Sequence, residues 1–249
     1  MRALVALALA TVLAVGPADA QAAAPRAGQA VGAAVDPALA PTMAALREAL
    51  DALVRADRAL MPAEGTSTLR GADEAALDRR ARARARVLAG LDTLLAEGAR
   101  GRTALRALAA DWPGVDLVRR AEVRAAFLAG DAPDALVLVD RLAPLAPRDT
   151  QYLRWRADAL DALGRRDEAL RSRQARFELV PEEEDGWRAL LRAHEAAGTL
   201  PRLRESLGRL RLLYPDSRAV REHEIEVLHR LGRRDEAARL AADTTGAHQ

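Results

Sequence analysis

The sequence predicts an all-α chain built from stacked helix–turn–helix units, and three observations carry that expectation. Gly130, Gly164, Gly198 and Gly232 recur every 34 residues. Pro113, Pro147, Pro181 and Pro215 keep the same step, as do Ala135, Ala169, Leu203 and Ala237. Self-similarity at a fixed period marks a solenoid, in which no unit buries its apolar face alone. Composition agrees: 50% of the 249 residues are apolar but only 3% are aromatic, which suits Ala/Leu helices better than a β-sandwich.

The N-terminus reads as an export signal. Met1-Arg2 gives a short basic start, Ala3 to Val15 is apolar, Gly16-Pro17 breaks the helix, and Ala18-Asp19-Ala20 is an A-x-A cleavage site. Residues 1–20 are therefore expected to be a signal peptide cleaved after Ala20, giving a periplasmic protein, with secretion as the alternative. The apolar run is too short to span a bilayer and no later stretch is long enough, so no transmembrane segment is expected after cleavage. No cysteine stands at the cleavage site to take a lipid.

Residues 21–41 are rich in Ala, Pro and Gly and poor in large side chains, which predicts a flexible leader. Residues 42–71 follow as one helix and a loop. Thr42 is placed to cap a helix over Met43 to about Met61, with Leu46, Leu50, Leu53, Val54 and Leu60 on one stripe and Pro62 ending it. Residues 72–115 read as a degenerate or capping repeat. A helix from about Ala72 to Ala96 is stopped by Gly98 and Gly101, and a shorter one runs from Thr103 to Asp111, ending at Trp112-Pro113. Four better units occupy 116–149, 150–183, 184–217 and 218–249. In each, a first helix runs to the ladder glycine and a second helix starts within a few residues of it. Asp167-Glu168 and Asp235-Glu236 put carboxylates at the positive end of the second helix, and Pro201 suits a first turn.

The unit Trp187-x2-Leu190-Leu191-x2-His194, continuing to Leu203, Leu207 and Pro215, resembles the tetratricopeptide pattern W-x2-L-G-x2-Y…A…F…P. It departs from that pattern at Leu191, His194, Leu203 and Leu207. The segments "GRRDEAL" at Gly164 and "GRRDEAA" at Gly232 are also family-like. The resemblance implies a right-handed α-solenoid whose first helices line a concave groove for an extended peptide or a partner helix. Val123, Ala157, Leu191 and Ile225 should form one core column, and Ala126, Leu160, His194 and Leu228 another. In the second unit Arg173 and Arg176 fall where the family buries apolar side chains. Either the helix turns to bury Leu170, Phe177 and Val180, or the arginines snorkel.

Carried onto this chain, the family's groove positions are Arg120, Arg124 and Phe127; Arg154, Asp158 and Asp161; Arg188, Arg192 and Glu195; and Glu222, Glu226 and His229. Such a groove would run from arginine-rich to acidic, with Arg forks gripping carboxylates. The alternative is a solvated face whose charges pair at i,i+4, as Arg154 can with Asp158.

Composition excludes much chemistry. All 38 basic residues are arginine, with no lysine, asparagine or cysteine, a skew that matches GC-rich coding. Without lysine there is no Walker A loop or Schiff base; without cysteine there is no thiol nucleophile, disulfide or thiolate zinc site. The net charge of +2 does not point to nucleic acid. His194-Glu195 and His223-Glu224 lack the second histidine of a zincin helix, with Gly198 and Val227 in its place. His194 is expected to fill a core position. Gly65-Thr66-Ser67 and Ser206 lack a nucleophile elbow. The run Glu182–Asp185 is read as solvated carboxylates in an inter-repeat turn, able to cap the next helix. Arg79, Arg80, Arg82, Arg84 and Arg86 spread over more than half a helix circumference and read as a solvated surface. No catalytic, cofactor or metal site is expected. The expected function is a non-catalytic interaction scaffold or adaptor of the bacterial cell envelope, holding a protein or peptide partner, within an outer-membrane or exopolysaccharide assembly by analogy. A periplasmic carbohydrate-binding or enzymatic protein with an unrecognised site is the alternative.

Overall fold

The structure, a computed structural model, describes residues 35–60 and 74–246. The expected signal peptide, most of the leader and the loop after the first helix lie outside the described residues. Among the described residues there is no strand, and eleven α-helices pack largely in chain order. They are α1 (Ala40–Leu60), α2 (Glu74–Ala96), α3 (Gly98–Asp111), α4 (Asp116–Leu128), α5 (Ala132–Leu142), α6 (Thr150–Ala162), α7 (Arg166–Leu179), α8 (Glu184–Ala196), α9 (Leu200–Leu213), α10 (Arg218–Arg230) and α11 (Arg234–Gly246). The chain forms two compact units that divide at the Ala129–Gly130 bond. That boundary falls inside the expected unit 116–149, between α4 and α5.

The first unit joins α1 to α4 around Met43, Leu46, Leu50, Val87, Leu91, Leu94, Leu105, Leu108 and Trp112. Helix α1 lies on α2, so the apolar stripe of the N-terminal helix is part of this core. Two expected boundaries change. Order begins before Thr42: Asp36 accepts a 2.8 Å hydrogen bond from the Ala38 N–H, Pro37–Leu39 make a 3-10 turn, and Leu39 is buried. Thr42 lies inside α1 rather than capping it, and Pro41 takes a first-turn position where its missing N–H costs nothing. Helix α3 begins at Gly98, not Thr103. Only Gly98 breaks the chain, at φ 58°, while Gly101 is helical and buried. A Cβ on Gly101 would stand 1.7 Å from the Leu94 carbonyl oxygen, so the end of α2 and the start of α3 meet backbone to backbone there.

In the second unit the period is written into the helix ends. First helices start at 150, 184 and 218 and second helices at 166, 200 and 234, in both cases 34 residues apart. The glycine ladder sets each turn. Gly164, Gly198 and Gly232 hold φ between 66° and 74°. At each, two hydrogen bonds close the preceding helix, Gly164 N–H to Asp161 O at 2.9 Å and Arg165 N–H to Leu160 O at 2.8 Å being the first pair. The same pair recurs at Gly198–Thr199 and Gly232–Arg233. This is a Schellman ending, which needs a left-handed residue and so favours glycine.

Core columns follow the register. Val123, Ala157, Leu191, Ala126, Leu160, His194 and Leu228 are buried, and only Ile225 is half-buried. Helix α7 answers both readings offered for it. Phe177 is buried and Leu170 half-buried, but Val180 is exposed, because Arg176 occupies the core position itself at 7% exposure. Phe177 joins Trp187 and His223, whose rings stack at 4.1 Å and 17°. The His223 Nε2–H donates to the Pro181 carbonyl at 3.1 Å, and the Trp187 Nε1–H donates to Glu226 Oε2 at 2.9 Å. Helix α10 is thus tied to α8 and to the turn before it.

Replacing the ladder glycines should cost stability without changing the fold. Gly164→Ala and Gly198→Ala are each expected to lose about 1 kcal/mol, the ordinary cost of a left-handed alanine. Gly101→Ala, which forces backbone apart, should lose at least as much, about 1–3 kcal/mol, in urea unfolding. Stability should also fall in mild acid. Burial holds His194 and His223 below the ordinary imidazole value, against the raising effect of the Thr199 and Pro181 carbonyls and, for His223, of Glu184, Glu226 and Glu222. The unfolded chain therefore takes up protons first as pH drops below about 6.5, and stability falls through that window. A His194→Leu/His223→Phe variant should show a flatter melting-temperature profile between pH 7 and 5; an equally steep one contradicts this origin.

Candidate functional site

The expected groove residues fall on the first helices, and most are neutralised locally. In the first unit Arg120 pairs with Asp116, Arg124 reaches Asp92 of α2 at 3.3 Å, and Phe127 is half-buried. In the second unit Arg188 pairs with Glu184 at 2.6 Å and Glu222 with Arg218 at 2.6 Å, each one turn away. Glu195 and Glu226 are both taken by Arg230. His229 is exposed. The change from Arg188 to Glu222 along the column is therefore compensated within each helix. Exposed pairs of this kind contribute about 0–1 kcal/mol each and project little net field.

Three expected residues do come together. Arg154 and Asp158 of α6 and Arg192 of α8 line an open cleft of about 360 Å³, with Ala157, Arg173, Arg176, Asp185, Gly186 and Ala189 completing it. Helices α6 and α8 supply the walls and α7 the two inner arginines. Arg173 is tied to Asp161, the last groove residue of its unit, and its side chain is only 17% exposed. Arg176 is held from both ends of one carboxylate, Glu183, which also meets its Nε at 3.2 Å. Glu183 occupies the N-cap position of α8 but makes no cap bond; its charge is spent on Arg176 instead. The capping role expected for the acidic run is thus replaced, at that residue, by an ion pair. Arg154 meets Asp158 only loosely, at 3.9 Å, and Arg192 has no carboxylate partner among the described residues. Burial raises the Asp158 carboxyl above its usual range, ahead of the lowering effect of Arg154 and Arg173.

Arg173, Arg176, Asp185, Gly186 and Ala189 were not among the residues the repeat pattern nominates. The groove rule names only one face of each first helix, whereas two of these residues stand on a second helix at core positions. Their departure from the 34-residue register was the available signal.

Elsewhere the chemistry-bearing side chains are occupied structurally. His194 Nδ1 lies 2.9 Å from Thr199 Oγ1 and 3.2 Å from its carbonyl, inside the core, as expected for a filler. Glu224 is buried against Arg211 at 2.8 Å. Among the described residues no group of histidines and carboxylates has metal-binding geometry. In the basic stretch of α2, Arg80 pairs with Asp57 of α1 and Arg82 with Asp78, and the side chains are exposed. Among the described residues no helix is long and apolar enough to cross a membrane.

The Arg176–Glu183 pair should behave as one unit. Glu183→Ala strands a buried guanidinium and is expected to cost about 1–3 kcal/mol in chemical unfolding. Glu184→Ala, which frees only the exposed Arg188, should cost under about 0.5 kcal/mol. Equal losses would show that Arg176 is solvated in the native state. No protein-family model matches the chain, and no curated protein matches it either.

Proposed function

We propose that this protein is a non-catalytic helical-repeat scaffold of the tetratricopeptide kind, exported to the bacterial cell envelope, where it holds a protein or peptide partner across its first helices. The observation that carries the reading is the open, charged cleft between α6 and α8, first helices of neighbouring 34-residue units. Repeat stacks expose side chains of equivalent positions along one continuous face, and such faces serve binding. Polar recognition there would rest on guanidinium forks, which match carboxylates bidentately. Burial raises the Asp158 carboxyl that faces into this cleft. Its place in the envelope follows from the N-terminal export pattern.

Two measurements test this. Mass spectrometry of the protein recovered from a periplasmic fraction should find an N-terminus at Gln21; an intact Met1 in the cytoplasmic fraction contradicts export. Affinity capture from envelope extract should recover a protein partner that an Arg154→Glu/Arg192→Glu variant loses by at least tenfold. Identical capture by both proteins sinks the assignment of the partner to this face.

A further inference from the structure

The cleft exists because two neighbouring helices break the repeat pattern at the same place. Stepping by 34 residues along the second helices from α3 to α9 gives Leu105, Val139, Arg173 and Leu207 at one inner position. The next inner position gives Leu108, Leu142, Arg176 and Leu210. All six apolar residues are buried. Only α7 puts guanidinium groups there. On the first helices the facing position gives Val118, Tyr152, Gly186 and Val220, and the three side chains other than glycine are again buried. One turn further on, Ala189 stands between Trp155 and His223 of its neighbours in the register. A Cβ on Gly186 would sit 3.7 Å from Arg176 Nε and 3.8 Å from its guanidinium carbon. Glu183 Oε2 lies nearer still, at 3.4 Å, so an alanine would make ordinary contacts here, and Gly186 places the α8 backbone directly beside the Arg176–Glu183 pair.

Packing does not ask for this arrangement. A buried ion pair replaced by apolar residues of similar volume is often neutral or stabilising, so a leucine at each position would serve the core at least as well. Instead two core positions are given to guanidiniums, two facing positions to Gly and Ala, and the space opened has the size of a small-molecule site. Glu183 engages Nε and one terminal nitrogen of Arg176, leaving donors of the five N–H groups unspent. Arg173, tied to Asp161, and Arg176, tied to Glu183, stand on α7, while the walls bring Arg154, only loosely met by Asp158 at 3.9 Å, and Arg192, which has no ion pair among the described residues. Asp158 and Asp185 add acceptors beside them, which disfavours a polyphosphate and suits a ligand that also carries a hydroxyl or an ammonium group.

We infer that the α6–α8 cleft is a binding pocket for a small organic dicarboxylate bearing a hydroxyl or amino substituent. One carboxylate lies against Arg173 and Arg176, the other against Arg154 and Arg192, and the substituent donates to Asp158 or Asp185. The pocket goes beyond the scaffold reading and stands whether or not a protein lies across the first helices.

Isothermal titration of the full-length protein with L-malate and L-glutamate tests it, with succinate, tetraglutamate peptide and inorganic phosphate as comparison probes. Saturable binding of malate or glutamate is expected, several-fold tighter than succinate, with a raised melting temperature. An Arg173→Leu/Arg176→Leu variant restores the repeat's own core residues. It should melt no lower than the parent yet bind at least tenfold more weakly. Arg192→Gln, at an exposed position that cannot disturb the core, should weaken binding by about the same order should the double variant fail to fold. The proposal is overturned by absence of saturable binding to both malate and glutamate, or by undiminished binding to Arg192→Gln. Tighter binding of phosphate overturns the carboxylate assignment, and binding of tetraglutamate alone overturns the small-molecule pocket in favour of a peptide. Loss of partner capture alongside a positive titration would remove the scaffold and leave the pocket.

Discussion

Everything in the second half of this protein depends on where each first helix is made to stop. The left-handed glycines at 164, 198 and 232 are the constraint. Each lets two backbone hydrogen bonds turn back onto the helix that ends there, so the following helix begins at a fixed offset. With the start of every helix fixed in this way, the burial of a residue is decided by its position in the period before its chemistry is considered. Leu160, His194 and Leu228 are buried for the same geometric reason, although one of them is an imidazole that must find its hydrogen bond at Thr199. A polar side chain at a core phase is drawn inside, and His194 is satisfied there only at Nδ1, its Nε2 being buried without a hydrogen-bond partner.

That constraint explains why arginine behaves in two ways here. At surface phases it pairs with a carboxylate one turn away, as Arg188 does with Glu184 and Arg218 with Glu222, and contributes little. At core phases the same residue type is taken out of water and must be held. Arg176 is held by both oxygens of Glu183, and Arg173 by Asp161. An all-arginine basic complement makes the two classes look alike in composition. Only the phase separates them.

The period was legible in the sequence down to single residues. Gly164 and Gly198 located turns, Pro147, Pro181 and Pro215 located helix ends, and seven of eight core-column residues are buried. What the pattern handled poorly lies where the period stops or is violated. Order from Asp36 arises from a local Asx cap and the burial of Leu39, signals too short to outweigh an Ala/Pro-rich composition. Gly101 reads as a helix breaker, yet it is a contact: its missing Cβ admits the Leu94 carbonyl, and no one-dimensional signal tells a turn glycine from a packing glycine. The cleft residues lie outside the groove pattern because that pattern covers only the first helices. Arg173 and Arg176 were visible as misfits, but their meaning required Gly186 and Ala189 to be seen opposite them.

Those four residues show how one 34-residue unit can depart from its neighbours at core positions. A core position in one unit is bounded by its neighbours' copies of the same position, so a single large-to-small change leaves a void, and a single apolar-to-charged change leaves an unsolvated ion. Either change alone destabilises. Across the α7–α8 contact the two changes meet: the Gly186 backbone stands at van der Waals distance from the Arg176 head, and both line the same cleft. Glu183, at the N-cap of α8, then supplies the countercharge without lengthening the repeat. The period survives because every change is confined to side chains. Charged side chains can therefore enter one 34-residue unit at core positions while the turns on either side, and the packing they dictate, stay as they are.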